Sequence, residues 1–356
     1  MEPGSFELLK VVGRGAYGKV YQARRKNDGQ LVALKVVTKP TKPIEVKHMD
    51  DERKVLETVN SPFLCEMLHC FETNDKLYLA LEFLSGGELF TLLNKKRRLD
   101  EEATKFYVAE ITLALEHLHD SAVIYRDLKP DNVMLDPKGH VKLTDFGLSK
   151  SNVPRGELTS TFCGTMEYMA PEIFSQAAYG HSIDIWALGV VMYDMLTGGP
   201  PFHGNNKTEL VEHIQNGKVK LPSNLSVDGK FLLKRMINRK PEKRITTDEM
   251  KKHAFFRSIN WSKLESRDID PPFKPNLINS EDVSNFDKCF TRLSPIESPT
   301  KDMNTEKPIH QENEPFANFD YNGSPIKENV EVETKSKSNA VRKLAVSNSQ
   351  TDQEAG

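Results

Sequence analysis

The sequence lacks the features that would direct it to a membrane, to nucleic acid or into an oxidising compartment. It has four cysteines in 356 residues and no C-x-x-C pair, which disfavours a zinc site and a disulfide framework. No run of about 20 apolar residues is present, and the first residues, MEPGSFELLK, lack a signal peptide's apolar stretch. The formal net charge of −2 provides no basic excess for nucleic acid. We therefore expect no membrane span, no nucleic-acid partner, and reduced thiols in the cytoplasm.

The order of sequence patterns predicts two lobes and a tail. Up to about residue 84, segments rich in Val, Leu and Tyr indicate strands, with one helix at 50–59. From about residue 88, apolar residues recur at helical spacing, most clearly at 101–120 and 182–198. Beyond about residue 256 this periodicity fades, and residues 326–356 have a composition typical of disorder.

A glycine-rich segment, VGRGAYGKV at 12–20, lies between two predicted strands. Its glycines would let backbone N–H groups approach a phosphate chain without obstruction by a Cβ atom. A dinucleotide-binding fold needs a helix directly after such a loop. The next residues, VYQARR, indicate a strand, so a dehydrogenase is excluded; a plain hairpin turn remains the alternative. The candidate nucleotide-binding residues of this segment are Val12, Gly13, Arg14, Gly15, Ala16, Tyr17, Gly18, Lys19 and Val20.

A lysine stands among the apolar residues of the next predicted strand, VALKV at 32–36. Its charge would be uncompensated there unless it met an anion. Lys35 could hold phosphates and be oriented by a carboxylate on the following helix, for which Glu52 is the best candidate. The alternative is a surface lysine whose ammonium reaches solvent.

Two further motifs, YRDLKPDN at 125–132 and DFG at 145–147, follow the glycine loop and VALK in order. This set resembles the eukaryotic protein kinase family over residues 6–256. The resemblance implies an α+β, bilobal kinase fold, with a small β-rich N-lobe at about 6–84 and a larger helical C-lobe at about 85–256. Tyr125 stands where the general pattern has histidine, and we expect it to pack in the core.

The resemblance also implies ATP and Mg²⁺ as cofactors and assigns the chemistry. Asp127 would orient the substrate hydroxyl and accept its proton, and Lys129 would steady the transferring phosphoryl group. Asn132 and Asp145 would hold Mg²⁺ through oxygen atoms. Lys35 and Glu52 would complete the catalytic set. The adenine ring would meet residues that include Val20, Ala33, Glu82, Leu84 and Met134.

A narrower resemblance comes from TFCGTMEYMAPE at 161–172, whose T-F-C-G-T is similar to the AGC group of serine/threonine kinases. It implies that an upstream kinase phosphorylates Thr161, and that Glu172 pairs with Arg244. Residues 257–325 resemble the AGC C-terminal extension, and INW, PPFKP and FTR match best with the ribosomal protein S-six kinase group. The glycine-rich insertion usual there is absent, so the subgroup stays open.

Three acids fall on positions that face substrate arginines in basophilic AGC kinases: Glu88, Asp131 and Asp194. Because carboxylates bind arginine in bidentate pairs, we expect basic protein substrates with R-x-x-S/T or R-x-R-x-x-S/T sequences. The alternative is that these acids are solvated surface charges. The basic run KKRR at 95–98 could be a nuclear signal, which would add the nucleus as a location, or the end of a helix.

The tail carries three aromatics in the stretch FANFDY: Phe316, Phe319 and Tyr321. They match the AGC hydrophobic motif, which implies intramolecular docking on the N-lobe beside the Glu52 helix. Most relatives have a phosphorylated Ser or Thr where this chain has Asp320, so we expect a partial but permanent mimic. Ser298 is the main remaining candidate for phosphorylation in the tail, with Ser294 as the second candidate.

Two classes of function compete for this chain. An active serine/threonine kinase needs the complete set of Lys35, Glu52, Asp127, Asn132 and Asp145, all of which are present. A pseudokinase that binds nucleotide and scaffolds partners is the alternative. The complete set favours the enzyme, which we expect to be a monomer.

Overall fold

The computed structural model describes residues 1–15, 18–297, 316 and 319–322. The predicted disordered segment at 326–356 lies outside these ranges, as do Ala16, Tyr17 and Ser298. Within the described ranges, no helix has the length and apolarity needed to cross a membrane.

The first part of the chain folds into an antiparallel sheet covered by one helix. The strands are β1 (Phe6–Arg14), β2 (Gly18–Arg25), β3 (Leu31–Thr38), β4 (Met67–Glu72) and β5 (Lys76–Glu82), in the order β1-β2-β3-β5-β4. Helix α1 (Pro43–Thr58) follows β3. Successive residues of a strand face opposite sides, so Leu34 and Val36 pack on one side. Lys35 and Val37 therefore lie on the other side, where Val37 shares a core with α1 residues.

The last glycine of the glycine loop is required by the neighbouring strand. A Cβ atom on Gly18 would lie 1.9 Å from the Val36 carbonyl oxygen, whereas one on Gly15 would meet nothing within 4 Å. The sequence suggested a single role for these glycines, which was access to phosphate. At Gly18 the structure adds a packing role, because β2 and β3 approach closely there.

The helical lobe contains seven helices before residue 257, and a small sheet. The helices are α2 (Leu89–Lys96), α3 (Glu101–Asp120), α4 (Pro171–Phe174), α5 (Ser182–Thr197), α6 (Lys207–Asn216), α7 (Val227–Met236) and α8 (Thr247–Lys251). The sheet contains β6 (Gly87–Glu88), β7 (Val133–Leu135) and β8 (Val141–Leu143) in that order. Asp100 caps the start of α3, because its side chain accepts from the Ala103 N–H at 2.8 Å. Gly198, in the left-handed conformation, caps the end of α5.

Helix α5 is the centre of this lobe, because almost every one of its residues is buried. Beside it lies a buried ion pair. Arg244 donates to Glu172 with both guanidinium nitrogens, at 2.7 and 3.0 Å, which confirms the predicted pair. Arg244 also lies 5.3 Å from the Trp186 ring of α5, so the pair connects α4 and α5 to the segment before α8.

The extension runs from the helical lobe back over the sheet. It contains α9 (Trp261–Glu265), α10 (Lys288–Thr291) and a two-residue strand, β9 (Tyr321–Asn322). Asn285 donates to the Ser85 carbonyl at 3.2 Å, and Gln22 donates to the Glu281 carbonyl at 3.0 Å. Strand β9 pairs antiparallel with β4 and becomes the edge of the main sheet.

Candidate active site

A cavity of about 500 Å³ is lined by residues of the sheet, the helical lobe and the extension. Most of the candidate residues meet there: Val12, Gly13, Arg14, Gly15, Gly18, Val20, Ala33, Lys35, Glu52, Glu82, Leu84, Glu88, Asp127, Asp131, Asn132, Met134 and Asp145. Lys19 is not among the lining residues, and its ammonium lies 3.4 Å from the Ile296 carbonyl of the extension. These residues span positions 12–145 of the sequence, so the fold brings together motifs that lie up to more than 100 positions apart.

Three charged groups form a cluster on the sheet side of the cavity. The Lys35 Nζ atom lies 2.7 Å from Glu52 Oε1 and 3.2 Å from Asp145 Oδ1. Burial opposes the charge of Lys35, but the carboxylates of Asp145 and Glu52 outweigh it and raise the pKa of the ammonium. The ammonium in turn lowers the pKa of the Asp145 carboxyl group. Lys35 and Asp145 are therefore both charged at neutral pH and face the same cavity.

The Asp127 carboxylate is held by three side chains of the helical lobe. Lys129 donates to Oδ2 at 2.8 Å, and the Thr165 hydroxyl donates to Oδ1 at 3.0 Å. Asn132 donates through Nδ2 to Oδ2 and to the Asp127 carbonyl, both at 2.9 Å. Lys129 also donates to the Thr165 hydroxyl at 2.9 Å. Because both carboxylate oxygens are held, Asp127 has one defined orientation in the cavity.

The donor set around Asn132 and Asp145 fits a hard divalent cation. Because the Asn132 Nδ2 atom is used toward Asp127, its Oδ1 is left as an acceptor, and no described residue donates to it. Asp145 contributes a carboxylate, and both residues line the cavity. Amide and carboxylate oxygens are ligands that Mg²⁺ accepts. Asn132 and Asp145 are therefore the residues that would hold Mg²⁺.

Asp184 of α5 fixes the backbone of the two residues that precede Asp127. Its carboxylate accepts the N–H groups of Tyr125 and Arg126, each at 2.9 Å, and lies 2.9 Å from His119 Nε2. The Tyr125 side chain is fully buried, which confirms the expectation that it packs in the core, and its hydroxyl donates to the Thr144 carbonyl. The Arg126 backbone is left-handed, with φ of 70°. Such strain in a non-glycine residue persists only where the surroundings fix it.

The comparisons with known proteins agree with this geometry. Residues 6–256 match the protein kinase domain, and residues 277–321 match the protein kinase C terminal domain. The chain belongs to the protein kinase family. The presence of both matches, in that order, is typical of the AGC kinases.

The kinase is similar to curated relatives from several animals. It is 45% identical over 330 residues to ribosomal protein S6 kinase beta of Caenorhabditis elegans, which covers 90% of this chain and 59% of that protein. It is 44% identical over 307 residues to human ribosomal protein S6 kinase alpha-1, covering 84% of this chain and 42% of the relative. The chain therefore matches less than two thirds of the length of these relatives.

The residues around the kinase site that the sequence analysis did not name include Thr165 and Phe286. Thr165, which donates to Asp127, lies inside the T-F-C-G-T motif, and its position there was the available signal. Phe286 of the extension lines the cavity and stacks on Phe83, with ring centroids 5.6 Å apart. No local pattern indicates Phe286, because its partner lies about 200 residues earlier in the chain.

The candidate phosphorylation site of the kinase, Thr161, is exposed. Its carbonyl accepts from the Tyr179 hydroxyl at 2.5 Å, and that hydroxyl lies 3.3 Å from Arg126 Nη1. Arg126 also donates to the carbonyl of Leu148, at 2.5 Å. Tyr179 thus connects Thr161 to the arginine beside Asp127.

The three candidate substrate-binding acids have different environments. Burial, followed by the nearby carboxylates of Asp131 and Asp287, raises the pKa of Glu88 to about 7. Asp131 is exposed. Asp194 lies outside the lining of the cavity, accepts from the Tyr168 hydroxyl at 2.7 Å, and has a pKa raised by burial. Glu88 and Asp131 therefore share one acidic surface with an acid of the extension.

The hydrophobic motif lies on the sheet beside α1. Phe316 and Phe319 are 6% and 2% exposed, and their rings meet edge to face at 5.6 Å. Tyr321 pairs with Cys70 of β4, and the Cys70 thiol donates to the Phe319 carbonyl at 2.8 Å. Asp320 is exposed and forms no ion pair with a described residue. The aromatic rings, rather than the charge, make the described contacts.

The residues that precede Ser298 are also fixed on the sheet. The Glu297 carboxylate lies 2.7 Å from Lys76 Nζ and accepts from the Tyr78 hydroxyl at 3.1 Å. The Tyr21 hydroxyl donates to the Ile296 carbonyl at 3.1 Å. The extension is therefore attached to β2 and β5 directly before the candidate phosphorylation site.

Proposed function

We propose that this chain transfers the γ-phosphate of ATP to serine or threonine hydroxyls of basic proteins. One observation carries the proposal: Asp127, held by Lys129, Asn132 and Thr165, lines the same cavity as the Lys35 cluster. Phosphoryl transfer depends mainly on positioning and on neutralising charge, and this cavity offers a fixed carboxylate and an ammonium.

Each residue has a distinct task in the proposed reaction. Asp127 orients the attacking hydroxyl and accepts its proton, while Lys129 lies beside it to steady the transferring phosphoryl group. Lys35 holds the phosphates of ATP, and Glu52 keeps the Lys35 ammonium in place. Asn132 and Asp145 would hold Mg²⁺, which when bound neutralises charge on the phosphates.

The test is phosphate transfer from radiolabelled ATP to an arginine-containing serine peptide, by protein phosphorylated on Thr161. We expect Asp127→Asn to lower kcat by at least about a hundredfold, the lower end of what general-base catalysis contributes, while ATP still binds. A wild type that transfers no more phosphate than Asp127→Asn would overturn the proposal. If that wild type still bound ATP, the pseudokinase alternative would stand.

The proposed substrate class rests on the acidic surface. Glu88 and Asp131 line the cavity, and carboxylates there would bind arginine upstream of the target hydroxyl. Asp194 would add a further contact on the adjoining surface. A peptide library should select arginine three positions, or five and three positions, before the serine or threonine. Absence of any upstream arginine selection would contradict this assignment.

The proposal extends to regulation. Phosphorylation of Thr161 by an upstream kinase would add charge next to the Tyr179–Arg126 contact. At the hydrophobic motif, Asp320 supplies a permanent negative charge, and Phe316 and Phe319 are buried. We infer that motif docking does not wait for phosphorylation, so that control falls on Thr161 and Ser298.

A further inference from the structure

A buried lysine behind the cavity has no part in the chemistry described above. Lys142 is the central residue of β8, three positions before Asp145, and is 8% exposed. Its ammonium lies 2.5 Å from the Glu82 Oε1 atom and donates to the Leu64 carbonyl at 3.2 Å. A buried ammonium is unfavourable unless it is paired, and here both partners come from the other lobe.

Glu82 is the last residue of β5, where the chain leaves the sheet for the helical lobe. The same Oε1 atom accepts from the Glu66 N–H at 2.8 Å. The carboxylate thus joins the loop before β4, the end of β5 and a strand of the helical lobe through one atom. Nearby, the backbone N–H of Cys65 donates to the Leu143 carbonyl, and the backbone N–H of Leu143 donates to the Phe63 carbonyl, both at 2.9 Å. The lobes are therefore connected here by a network that contains the Lys142–Glu82 ion pair.

Lys142 does not line the cavity, but its neighbours do. Met134 is its partner in the β7–β8 register, and Met134, Glu82, Thr144 and Cys65 are all lining residues. A shift of the Lys142 ammonium would therefore move the wall of the cavity through Glu82, although the ammonium itself touches nothing inside.

We propose that Lys142 is a positioning residue for nucleotide binding. It fixes Glu82 against the strand that leads to Asp145, so the adenine side of the cavity and the carboxylate that would hold Mg²⁺ keep one separation. This inference rests on the proposed function for the identity of the nucleotide, but it concerns binding and not transfer.

The test measures the Kd of Mg-ATP by calorimetry, and separately kcat and the KM values of ATP and peptide. The variants are Lys142→Met, Glu82→Gln and the double variant. Lys142→Met should raise the Kd and KM of ATP about tenfold or more, the ratio expected for a lost charged hydrogen bond. The peptide KM should stay within about twofold. Because Lys142 acts through Glu82, the Kd of ATP for the double variant should not exceed the higher of the two Kd values of the single variants.

Lys138→Met is the matched control, because Lys138 lies in the same hairpin but is exposed; its Kd for ATP should equal that of the wild type. If Lys142→Met does not fold, Lys142→Gln, which keeps N–H donors, replaces it and should show a smaller rise in the Kd of ATP.

An unchanged Kd in the folded variant, or fully additive losses of binding free energy in the double variant, would overturn the inference. A wild type that binds ATP but transfers no phosphate would overturn the proposed function alone. A wild type that binds no ATP would overturn both.

Discussion

At the scale of single residues, Glu88 combines burial with negative neighbours. Its carboxyl group has a pKa raised to about 7, because burial and then Asp131 and Asp287 disfavour its charge. A free glutamate is ionised throughout the neutral range, whereas Glu88 changes its charge within it. A bound arginine would favour the ionised form, so substrate binding and ionisation of Glu88 should be linked.

This linkage makes the Kd of an arginine-containing peptide depend on pH. A peptide with upstream arginine, made inert by Ser→Ala, should bind more tightly as the pH rises through about 7, because Glu88 then loses its proton. If only the ionised form binds, the Kd should fall by up to about tenfold between about pH 6 and pH 8. Calorimetry at these two pH values measures the Kd of the inert peptide.

Two controls separate Glu88 from other titrating groups. The Glu88→Gln variant should bind this peptide weakly and equally at both pH values. A peptide without upstream arginine should show the same flat dependence with the wild type. A tenfold pH effect that survives in Glu88→Gln would assign the effect elsewhere.

Residues in linear motifs were predictable, and residues that act through distant contacts were not. Lys35 was identified because a charge among apolar strand residues needs an anion, and the structure places it 2.7 Å from Glu52. Thr165 gives no such signal, since a polar threonine in a loop needs no special partner. Phe286 looks like an ordinary aromatic of a polar extension until the fold brings it to Phe83.

At the scale of elements, the hydrophobic motif acts as both a strand and a pair of buried rings. Strand β9 has two residues, too few to be stable without a partner strand. Phe316 and Phe319 bury their rings nearby, and Arg53 of α1 lies 5.9 Å from the Phe319 ring. Two buried phenylalanines contribute roughly 3–6 kcal/mol before the cost of ordering the tail. Burial of the two rings therefore contributes more of the free energy of docking than the two-residue strand pairing does.

The relative effects of packing and charge can be measured. Phe316→Ala combined with Phe319→Ala should lower peptide phosphorylation strongly, because β9 and α1 lose their shared apolar contact. Asp320→Ala should lower it less, since Asp320 is exposed. Initial rates at saturating ATP, compared among protein samples with equal Thr161 phosphorylation, measure both.

A matched substitution tests whether charge alone matters. Asp320→Asn keeps the shape of the side chain and should resemble Asp320→Ala. If Asp320→Ala were as inactive as the double phenylalanine variant, the charge would be as necessary for docking as the packing, which would contradict this expectation.

Long periodic elements were predicted better than short paired ones. Helices α3 and α5 have apolar residues at helical spacing and were predicted close to their observed bounds. Strands β4 and β9 were not predicted. Strand β9 exists because Tyr321 and Asn322 meet the free edge of β4, and no residue preference within two positions can indicate such a pairing.

At the scale of the whole molecule, the Glu172–Arg244 pair is a test of what holds the helical lobe together. Its side chains are 7% and 0% exposed. Removing one partner of a buried ion pair leaves an uncompensated charge and costs about 3–5 kcal/mol. Arg244→Met should therefore lower the unfolding temperature by roughly 6–20 °C, as calorimetry would measure.

The exposed pair Arg235–Glu249 provides the control. Its side chains are 32% and 48% exposed, so Arg235→Met should change stability by about 1 kcal/mol or less. Equal losses in the two variants would show that burial does not set the cost.

The path of the extension was the least predictable feature of the molecule. Its motifs were recognisable, but contacts such as Gln22 with the Glu281 carbonyl and Lys76 with Glu297 join positions more than 200 residues apart. Such contacts join surfaces that are far apart in sequence, so no local pattern in the extension indicates them.

Strand β9 also protects the protein from other copies of itself. An uncovered edge strand presents unpaired N–H and C=O groups on which a second chain can align and aggregate. Phe319 contacts Cys70 on that edge of β4, and both phenylalanine rings are buried, so releasing the motif would expose hydrogen-bonding groups and apolar surface together. The contact proposed to keep the kinase active is thus also one that keeps its largest sheet from self-association.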